Sequence, residues 1–245
     1  MRDESPSEAP AADATPPTPR NALVVRGGWE GHAPVEATDL FIPFLTGQGF
    51  TVDVAGSPEV YADPALGDRD LVVQCFTMGT ASHEAVAGLR AAVAGGTGLM
   101  GWHGGIADSF RASADYLQLI GGQFTCHPSK HPDACHGGQE DNYLPYTVDI
   151  PADATHPVVA GLASFPLETE QYWVLTDAYC DVLATTTHPT APWHPWHRPV
   201  TVPAVWTRAW GHGRVCVVTP GHSLDVLLDP NVRTLIERGL LWSSR

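Results

Sequence analysis

The sequence predicts an α/β protein in which a mostly parallel sheet carries helices on both faces. Short apolar runs alternate along the chain with segments of helical spacing, and each run has the length of a buried strand. Strand–helix–strand units of this size connect in a right-handed sense and build parallel sheets. The loops that follow the strands therefore open at one edge of the sheet, where such sheets bind their ligands.

The predicted elements follow one another closely in the first half of the chain. Strands are expected at 21–26, 50–55, 70–76 and 97–102, and helices at 35–47 and 82–95. In the second half, a helix is expected at 108–120, further strands at 146–150 and 182–187, a hairpin at 203–207 and 214–219, and a closing helix at 231–242.

Residues 1–20 differ in composition from the rest of the chain. They are mostly Pro, Ala, Glu, Asp, Ser and Thr without apolar periodicity, and such a segment cannot bury enough surface to offset chain entropy. We expect a disordered tail there. Residues 21–245 are predicted to form one domain, because 245 residues with 43% hydrophobic content suffice for one sizeable core.

The charge of the chain argues against two classes of partner. The net charge is −14, from 13 Lys and Arg against 27 Asp and Glu. Nucleic acids and anionic membranes require a basic patch, so we expect neither as a partner. The sequence contains no run of about eighteen apolar residues and no apolar signal-peptide centre, which predicts a cytoplasmic protein. Five widely spaced cysteines favour reduced thiols, with Cys75 and Cys216 in the core.

The segment 97–105, TGLMGWHGG, carries the strongest functional signal. Glycines at 101, 104 and 105 permit a sharp reversal after the fourth strand, which places His103 at the strand's carboxyl end. The pattern G-x-His-x-G has the spacing of a nucleophile elbow. Imidazole is an uncommon covalent nucleophile, but it can donate or accept a proton or bind a metal. A plain tight turn is the alternative.

The segment 168–173, ETEQYW, contributes acidic and phenolic groups. In an extended chain Glu168, Glu170 and Tyr172 point to one face. These three side chains either lie on a solvent-exposed strand edge or line a binding site.

Two irregular segments contain further histidines. The insert 121–136 contains four ligand types, His127, His131, Cys135 and His136. Their spacing is not that of a known closed zinc site, which favours polar packing or substrate contact. The segment 190–198, TAPWHPWHR, suits either stacking of Trp193 on a sugar ring or a proline-rich surface clasp.

Several motifs together resemble the trehalose-utilisation (ThuA-like) family. They are GWHGG at 101–105, GQFTCHP at 122–128, HPVV at 156–159, ETEQYW at 168–173, PAVWTRAWGHGRV at 203–215, PGHSLD at 220–225 and VRTLIERGLLW at 232–242. The resemblance covers residues 21–242. It implies a flavodoxin-like fold of the class I glutamine amidotransferase type, with His103 in place of the cysteine. Glutamine hydrolysis is not expected without that thiolate.

The resemblance also implies disaccharide catabolism, including the handling of 3-keto sugars. It places the candidate catalytic residues across one pocket from His103, and two more histidines at the rim. The catalytic set is His103, Glu170, Tyr172 and His222. The substrate-binding set is Trp29, His32, Trp102, His127 and Trp193.

In a keto sugar the proton beside the carbonyl is acidic, so its removal needs a base, an acid and a donor to the enolate oxygen. A divalent metal on His103, His222 and Glu170 would polarise the carbonyl to the same end, and the sequence leaves that question open.

The alternatives are a non-catalytic sugar-binding or regulatory protein and a metal-dependent hydrolase. The expected partner is a small-molecule sugar, with homo-oligomer formation left open.

Overall fold

A computed structural model describes residues 19–245 of the chain, so the predicted tail lies almost entirely outside the described residues. The strands are β1 (Arg20–Gly28), β2 (Phe50–Ala55), β3 (Leu71–Thr77), β4 (Gly98–Trp102), β5 (Gly122–Cys126), β6 (Tyr143–Val148), β7 (Phe165–Glu170), β8 (Trp173–Thr176), β9 (Asp181–His188), β10 (Val200–Trp210) and β11 (Gly213–Val218). The α-helices are α1 (Pro34–Asp39), α2 (Ile42–Gly47), α3 (His83–Gly95), α4 (Gly104–Ala107), α5 (Ala114–Ile120), α6 (Leu224–Leu228) and α7 (Pro230–Ser243).

The central sheet of the described region has seven strands in the order β2-β1-β3-β4-β11-β10-β9. The first five run parallel, which confirms the predicted mostly parallel sheet. β10 pairs antiparallel with β11 in the predicted hairpin, and β9 pairs antiparallel with β10 at the edge. The strand order reverses between β1 and β3, which is the position where open α/β sheets hold ligands.

Apolar side chains fill both faces of this sheet. Along β1 they alternate, so that Val24 belongs to one buried cluster and Leu23 and Val25 to the other. Helices α1, α2, α6 and α7 cover the first cluster, whereas α3 and α5 cover the second. The five cysteines are free, and Cys75 and Cys216 are buried as predicted.

Two predicted helices are shorter than expected. The helix at 35–47 is interrupted between α1 and α2, because Pro43 near the start of α2 has no backbone N–H to continue the preceding helix. The helix at 108–120 begins only at Ala114, after Phe110 adopts a positive φ of 45° that no helix tolerates.

Two small antiparallel sheets lie outside the central one. β5 pairs with β8, and β6 pairs with β7. The insert at 121–136 was expected to be wholly irregular, but it begins with β5 because its first residues find a partner strand about fifty residues further along the chain. No helix within residues 19–245 is long and apolar enough to cross a membrane.

Two glycines of α3 provide a matched test of packing. A Cβ at Gly88 would overlap the Tyr61 carbonyl of the neighbouring 3-10 helix, whereas a Cβ at Gly95 would meet nothing within 4 Å. We expect Gly88→Ala to lower the free energy of unfolding by about 1–3 kcal/mol through overpacking. Gly95→Ala should leave it unchanged or raise it by up to about 1 kcal/mol. Urea unfolding measures both values, and equal stability of the two variants would contradict the predicted packing.

Candidate functional site

Three histidines meet at the carboxyl edge of the central sheet. His32 ends the 3-10 helix Glu30–His32 after β1, His103 follows β4, and His222 follows β11. Their ring centroids lie 4.7 Å apart for His32 and His103, 5.1 Å for His32 and His222, and 5.4 Å for His103 and His222. The parallel topology therefore brings together side chains that are far apart in the sequence.

His103 occupies a strained turn of the kind that the glycine pattern indicates. Its φ is 48° and its ψ is −140°, and α4 begins at the next residue. A Cβ at Gly104 would lie 2.6 Å from the His32 ring, and a Cβ at Gly105 would lie 2.8 Å from the Cα of Cys75. Both glycines are thus required by close packing. Such a backbone costs about 1–3 kcal/mol and persists only where surrounding contacts hold it.

Glu170 supplies a buried carboxylate at the end of β7. Its side chain is 5% exposed, and its Oε2 lies 3.2 Å from Nε2 of His103 and 3.2 Å from Nδ1 of His222. Glu168 lies two residues earlier on the same strand but is exposed to solvent, so it does not line the site as the expected alternation indicated. Tyr172 is buried, and its ring stacks on that of His103 with centroids 4.0 Å apart.

The hydrogen bonds around Glu170 are incomplete. Nδ1 of His103 donates to the Thr219 carbonyl at 2.8 Å, so Nε2 of the neutral ring presents a lone pair to a carboxylate oxygen. Nδ1 of His222 makes no hydrogen bond, although it lies 3.2 Å from Oε2 of Glu170. Two acceptors facing each other require a proton or a cation between them.

The electrostatics of the site favour neutral imidazoles around an ionised carboxylate. Burial, together with the charges of His103 and His222, lowers the pKa of His32 to about 2. Burial also lowers the pKa of His103. Burial acts to raise the pKa of Glu170, whereas a proton or positive charge on His103 and His222 lowers it; beside neutral rings, a cation would have to supply that charge. Metal ligands need these deprotonated forms.

The four groups together have the composition of a metal site. One ligand atom from each of them lies within 4.8 Å of all the others; the residues are His32, His103, Glu170 and His222, here called the histidine–carboxylate cluster. Imidazole and carboxylate ligands suit zinc and neighbouring transition metals. Nδ1–H of His103 donates a hydrogen bond to a backbone carbonyl. Metal-binding histidines usually make such a hydrogen bond with the ring nitrogen that does not bind the metal.

His32 has a more central position than the sequence indicated. It was expected at the rim of the pocket and outside the metal set, yet it is a full member of the cluster. The 3-10 turn after β1 directs the ring inward, and its Nδ1 lies 2.9 Å from the Thr77 hydroxyl at the end of β3.

Two further predicted residues lie beside the cluster. Nε2 of His127 is 3.6 Å from Oε1 of Glu170, and its side chain is 29% exposed. The Trp29 ring packs edge-on against His32 with centroids 4.7 Å apart and is 37% exposed. Both therefore lie between the buried cluster and solvent.

The other two predicted substrate-binding residues lie elsewhere. Trp102 is 2% exposed and packs on Phe41 in the core, because alternation along β4 turns it away from the elbow. We correct its assignment to a core residue. Trp193 is 45% exposed and lies outside the cluster, where its ring packs against that of His131 with centroids 4.6 Å apart.

The four candidate ligands of the insert do not converge. His127 faces Glu170, whereas His131 contacts Trp193, and the Cys135 thiol lies 3.6 Å from a backbone carbonyl. Throughout residues 19–245, the histidine–carboxylate cluster is the one grouping of three or more such residues close enough to share an ion.

Sequence analysis did not single out Tyr143, which lines the site from β6. It is the direct cross-strand neighbour of Glu170, and its ring lies 5.2 Å from that of His222. Only the pairing of β6 with β7 shows this proximity, and no local motif signals that pairing.

The fold and the cluster define a class of protein: a doubly wound α/β domain of flavodoxin-like type whose glycine-flanked turn after β4 carries a histidine. The family model described as trehalose utilisation, ThuA, matches residues 21–243. The chain belongs to the ThuA family.

Solved structures share this fold at low sequence identity. A ThuA-like protein from Bacteroides uniformis is 18% identical with a TM-score of 0.70, and the match covers 96% of this chain and 95% of that one. A ThuA-like protein from Parabacteroides merdae is 17% identical with a TM-score of 0.68, covering 92% and 90%. A cytoplasmic protein from Salmonella typhimurium is 13% identical with a TM-score of 0.60, covering 92% and 100%. A search of the curated proteins found no match.

The burial of His32 makes the stability of the metal-free protein depend on pH. Its pKa of about 2 in the folded state lies below the ordinary value of 6.5. Between these pH values the unfolded chain binds a proton that the folded chain does not, so stability falls with falling pH by about 1.4 kcal/mol per unit. In chelator-treated protein, urea unfolding between about pH 6 and pH 4 should show this slope, and His32→Asn should reduce it by that amount. If the unfolding free energy changes with pH equally in the wild-type protein and in His32→Asn, the pKa of His32 is not lowered as described.

Proposed function

We propose that this protein is a metal-dependent enzyme of disaccharide catabolism that acts on a keto sugar. The observation that carries the proposal is a buried carboxylate surrounded by three imidazoles, with one ligand atom of each group within 4.8 Å of the others. Membership of a family described as trehalose utilisation supplies the substrate class.

The charge balance supports a cation rather than a bare ion pair. In the described part of the chain, every ion pair of Glu170 is to a histidine, and none is to Lys or Arg. Burial lowers the pKa of both His32 and His103, which leaves them neutral near pH 7. An ionised carboxylate buried without a cation costs several kcal/mol. A divalent ion on the four ligands would remove that cost.

The chemistry follows from the carbonyl group of the substrate. A divalent ion in the cluster would polarise the keto oxygen and so acidify the C–H bond on the adjacent carbon. His127, partly exposed and next to Glu170, accepts that proton. The C–H electron pair forms a C=C bond as the glycosidic C–O bond on the next carbon breaks. The departing oxygen takes a proton from His127, which restores the neutral imidazole.

Two of the predicted catalytic residues then have supporting roles. His103 would hold the ion through Nε2, because its Nδ1 is committed to the Thr219 carbonyl. Burial and the charge of Glu170 hold the pKa of Tyr172 well above its ordinary value, so its phenol remains a hydrogen-bond donor. A cytoplasmic location, suggested by the name of the Salmonella neighbour, is part of this proposal.

Two glutamates on β7 give a matched test of the metal. Glu170 is buried in the cluster, whereas Glu168, two residues earlier, is exposed. We expect the wild-type protein and Glu168→Gln to bind about one divalent ion per chain. Glu170→Gln should bind it at least about 10–100-fold more weakly, because a ligand and its charge are lost. Elemental analysis and zinc or manganese titration measure this.

Turnover is measured on the same samples with keto and ordinary disaccharides, followed by mass analysis of the products. Loss of turnover in Glu170→Gln, with the fold retained by circular dichroism, is the expected result. Equal metal content in the two glutamate variants would contradict the metal site. A keto sugar that binds and is recovered unchanged from the metal-loaded protein would favour the non-catalytic sugar-binding alternative.

A further inference from the structure

A cavity lined by both polar and apolar groups adjoins the histidine–carboxylate cluster through Tyr143. Its volume is about 560 Å³, within the range of roughly 300–1,000 Å³ that is usual for small-molecule sites. The loop between β5 and β6 forms most of its wall, and Tyr143 forms the side nearest the cluster. Because Tyr143 pairs with Glu170 across the strands and its ring contacts His222, a ligand in the cavity would adjoin the cluster.

The wall of the cavity is held in place by hydrogen bonds within the loop. The Asp141 carboxylate accepts hydrogen bonds from the backbone N–H groups of His136 at 2.9 Å and Gly137 at 2.7 Å. The Asp141 carbonyl accepts another from the Lys130 N–H at 2.8 Å. The cavity therefore exists before a ligand arrives, which reduces the entropic cost of binding.

The lining groups suit a neutral ligand that carries many hydroxyls. Lys130 and Gln139 offer donors, Glu140 offers acceptors, and Tyr143 offers both a hydroxyl and an aromatic face. The lining contains one ammonium group, that of Lys130, and two carboxylates, those of Glu140 and Asp141, so its net charge is negative. A phosphorylated ligand would meet repulsion there, because a phosphate group adds nearly two negative charges.

We propose that this cavity binds the non-reacting ring of an unphosphorylated disaccharide, whose other ring faces the histidine–carboxylate cluster. The assignment rests on the proposed function for the class of ligand. It adds the location of the second ring and the exclusion of phosphorylated sugars. Lys130, Glu140 and Tyr143 are the residues that contact this ring.

The composition of the chain provides a direct readout. Lys130 is the only lysine among the 245 residues, so acetylation by an amine-reactive ester modifies this side chain and the N-terminal amine alone. The N-terminal amine serves as the internal reference. The rate at which Lys130 is acetylated, followed by mass spectrometry, reports whether the cavity is occupied, independently of any turnover.

The experiment compares trehalose, glucose and trehalose 6-phosphate on the full chain. A ligand at about ten times its Kd leaves about a tenth of the cavity free, so saturating trehalose should slow acetylation of Lys130 about tenfold relative to the N-terminus. Glucose and trehalose 6-phosphate should slow it less than about twofold at the same concentration. Glu140→Ala should weaken the protection by trehalose, whereas Glu84→Ala, on the exposed side of α3, should preserve it.

The outcomes separate this inference from the proposed function. No protection by trehalose, or equal protection by glucose or by the phosphorylated sugar, would overturn the assignment of the cavity, whatever the metal content. Protection by trehalose alone, in a protein that fails to bind metal, would support the cavity while the metal-dependent function fails.

Discussion

The burial of the Glu170 carboxylate is the constraint around which this fold is arranged. An ionised group removed from water needs compensating charge or hydrogen bonds, and within residues 19–245 every ion pair of this one is with an imidazole. The imidazoles of His32, His103 and His222 follow three strands of the central sheet, whereas the carboxylate comes from a separate two-stranded sheet. The contact between the two sheets is therefore stabilised by any cation that the four groups bind, and it is costly without one.

Backbone strain collects at the same edge of the sheet. Among the described residues, those other than glycine with positive φ are Ala33, Met78, His103 and Phe110. Ala33 follows His32 directly, Met78 follows the strand that ends at Thr77, and His103 is itself in the cluster. Residues held in such conformations need rigid support. Beneath them, the Gln74 side chain bonds to the hydroxyls of two buried tyrosines, Tyr61 at 3.1 Å and Tyr116 at 2.6 Å.

The sequence was sufficient to predict the central sheet because its strands are buried on both faces and read as apolar runs. It also predicted the approach of His32 to His103, since parallel strands release their loops at one edge. It did not predict that His32 belongs to the cluster, because the direction of a short 3-10 turn depends on contacts such as that with Thr77. The neighbourhood of Tyr143 and Glu170 depends on pairing between strands whose register no local pattern specifies. Trp102 was assigned to the substrate-binding set, but alternation along β4 turns it into the core.

In the proposed reaction, the turn at His103 is the reason why proton transfer is assigned to His127 rather than to His103. In an amidotransferase-type elbow the strained turn projects a nucleophile toward the substrate. Here the same backbone, with φ 48° and ψ −140°, holds an imidazole whose Nδ1 is fixed on the Thr219 carbonyl. One nitrogen remains, and it points at Glu170 inside the cluster, so His103 cannot bind an ion and also exchange protons with a substrate. His127 has no such commitment within the cluster and is partly exposed beside the same carboxylate. In this proposal the strain at His103 would orient a metal ligand, and acid–base chemistry would be left to His127 at the mouth of the site.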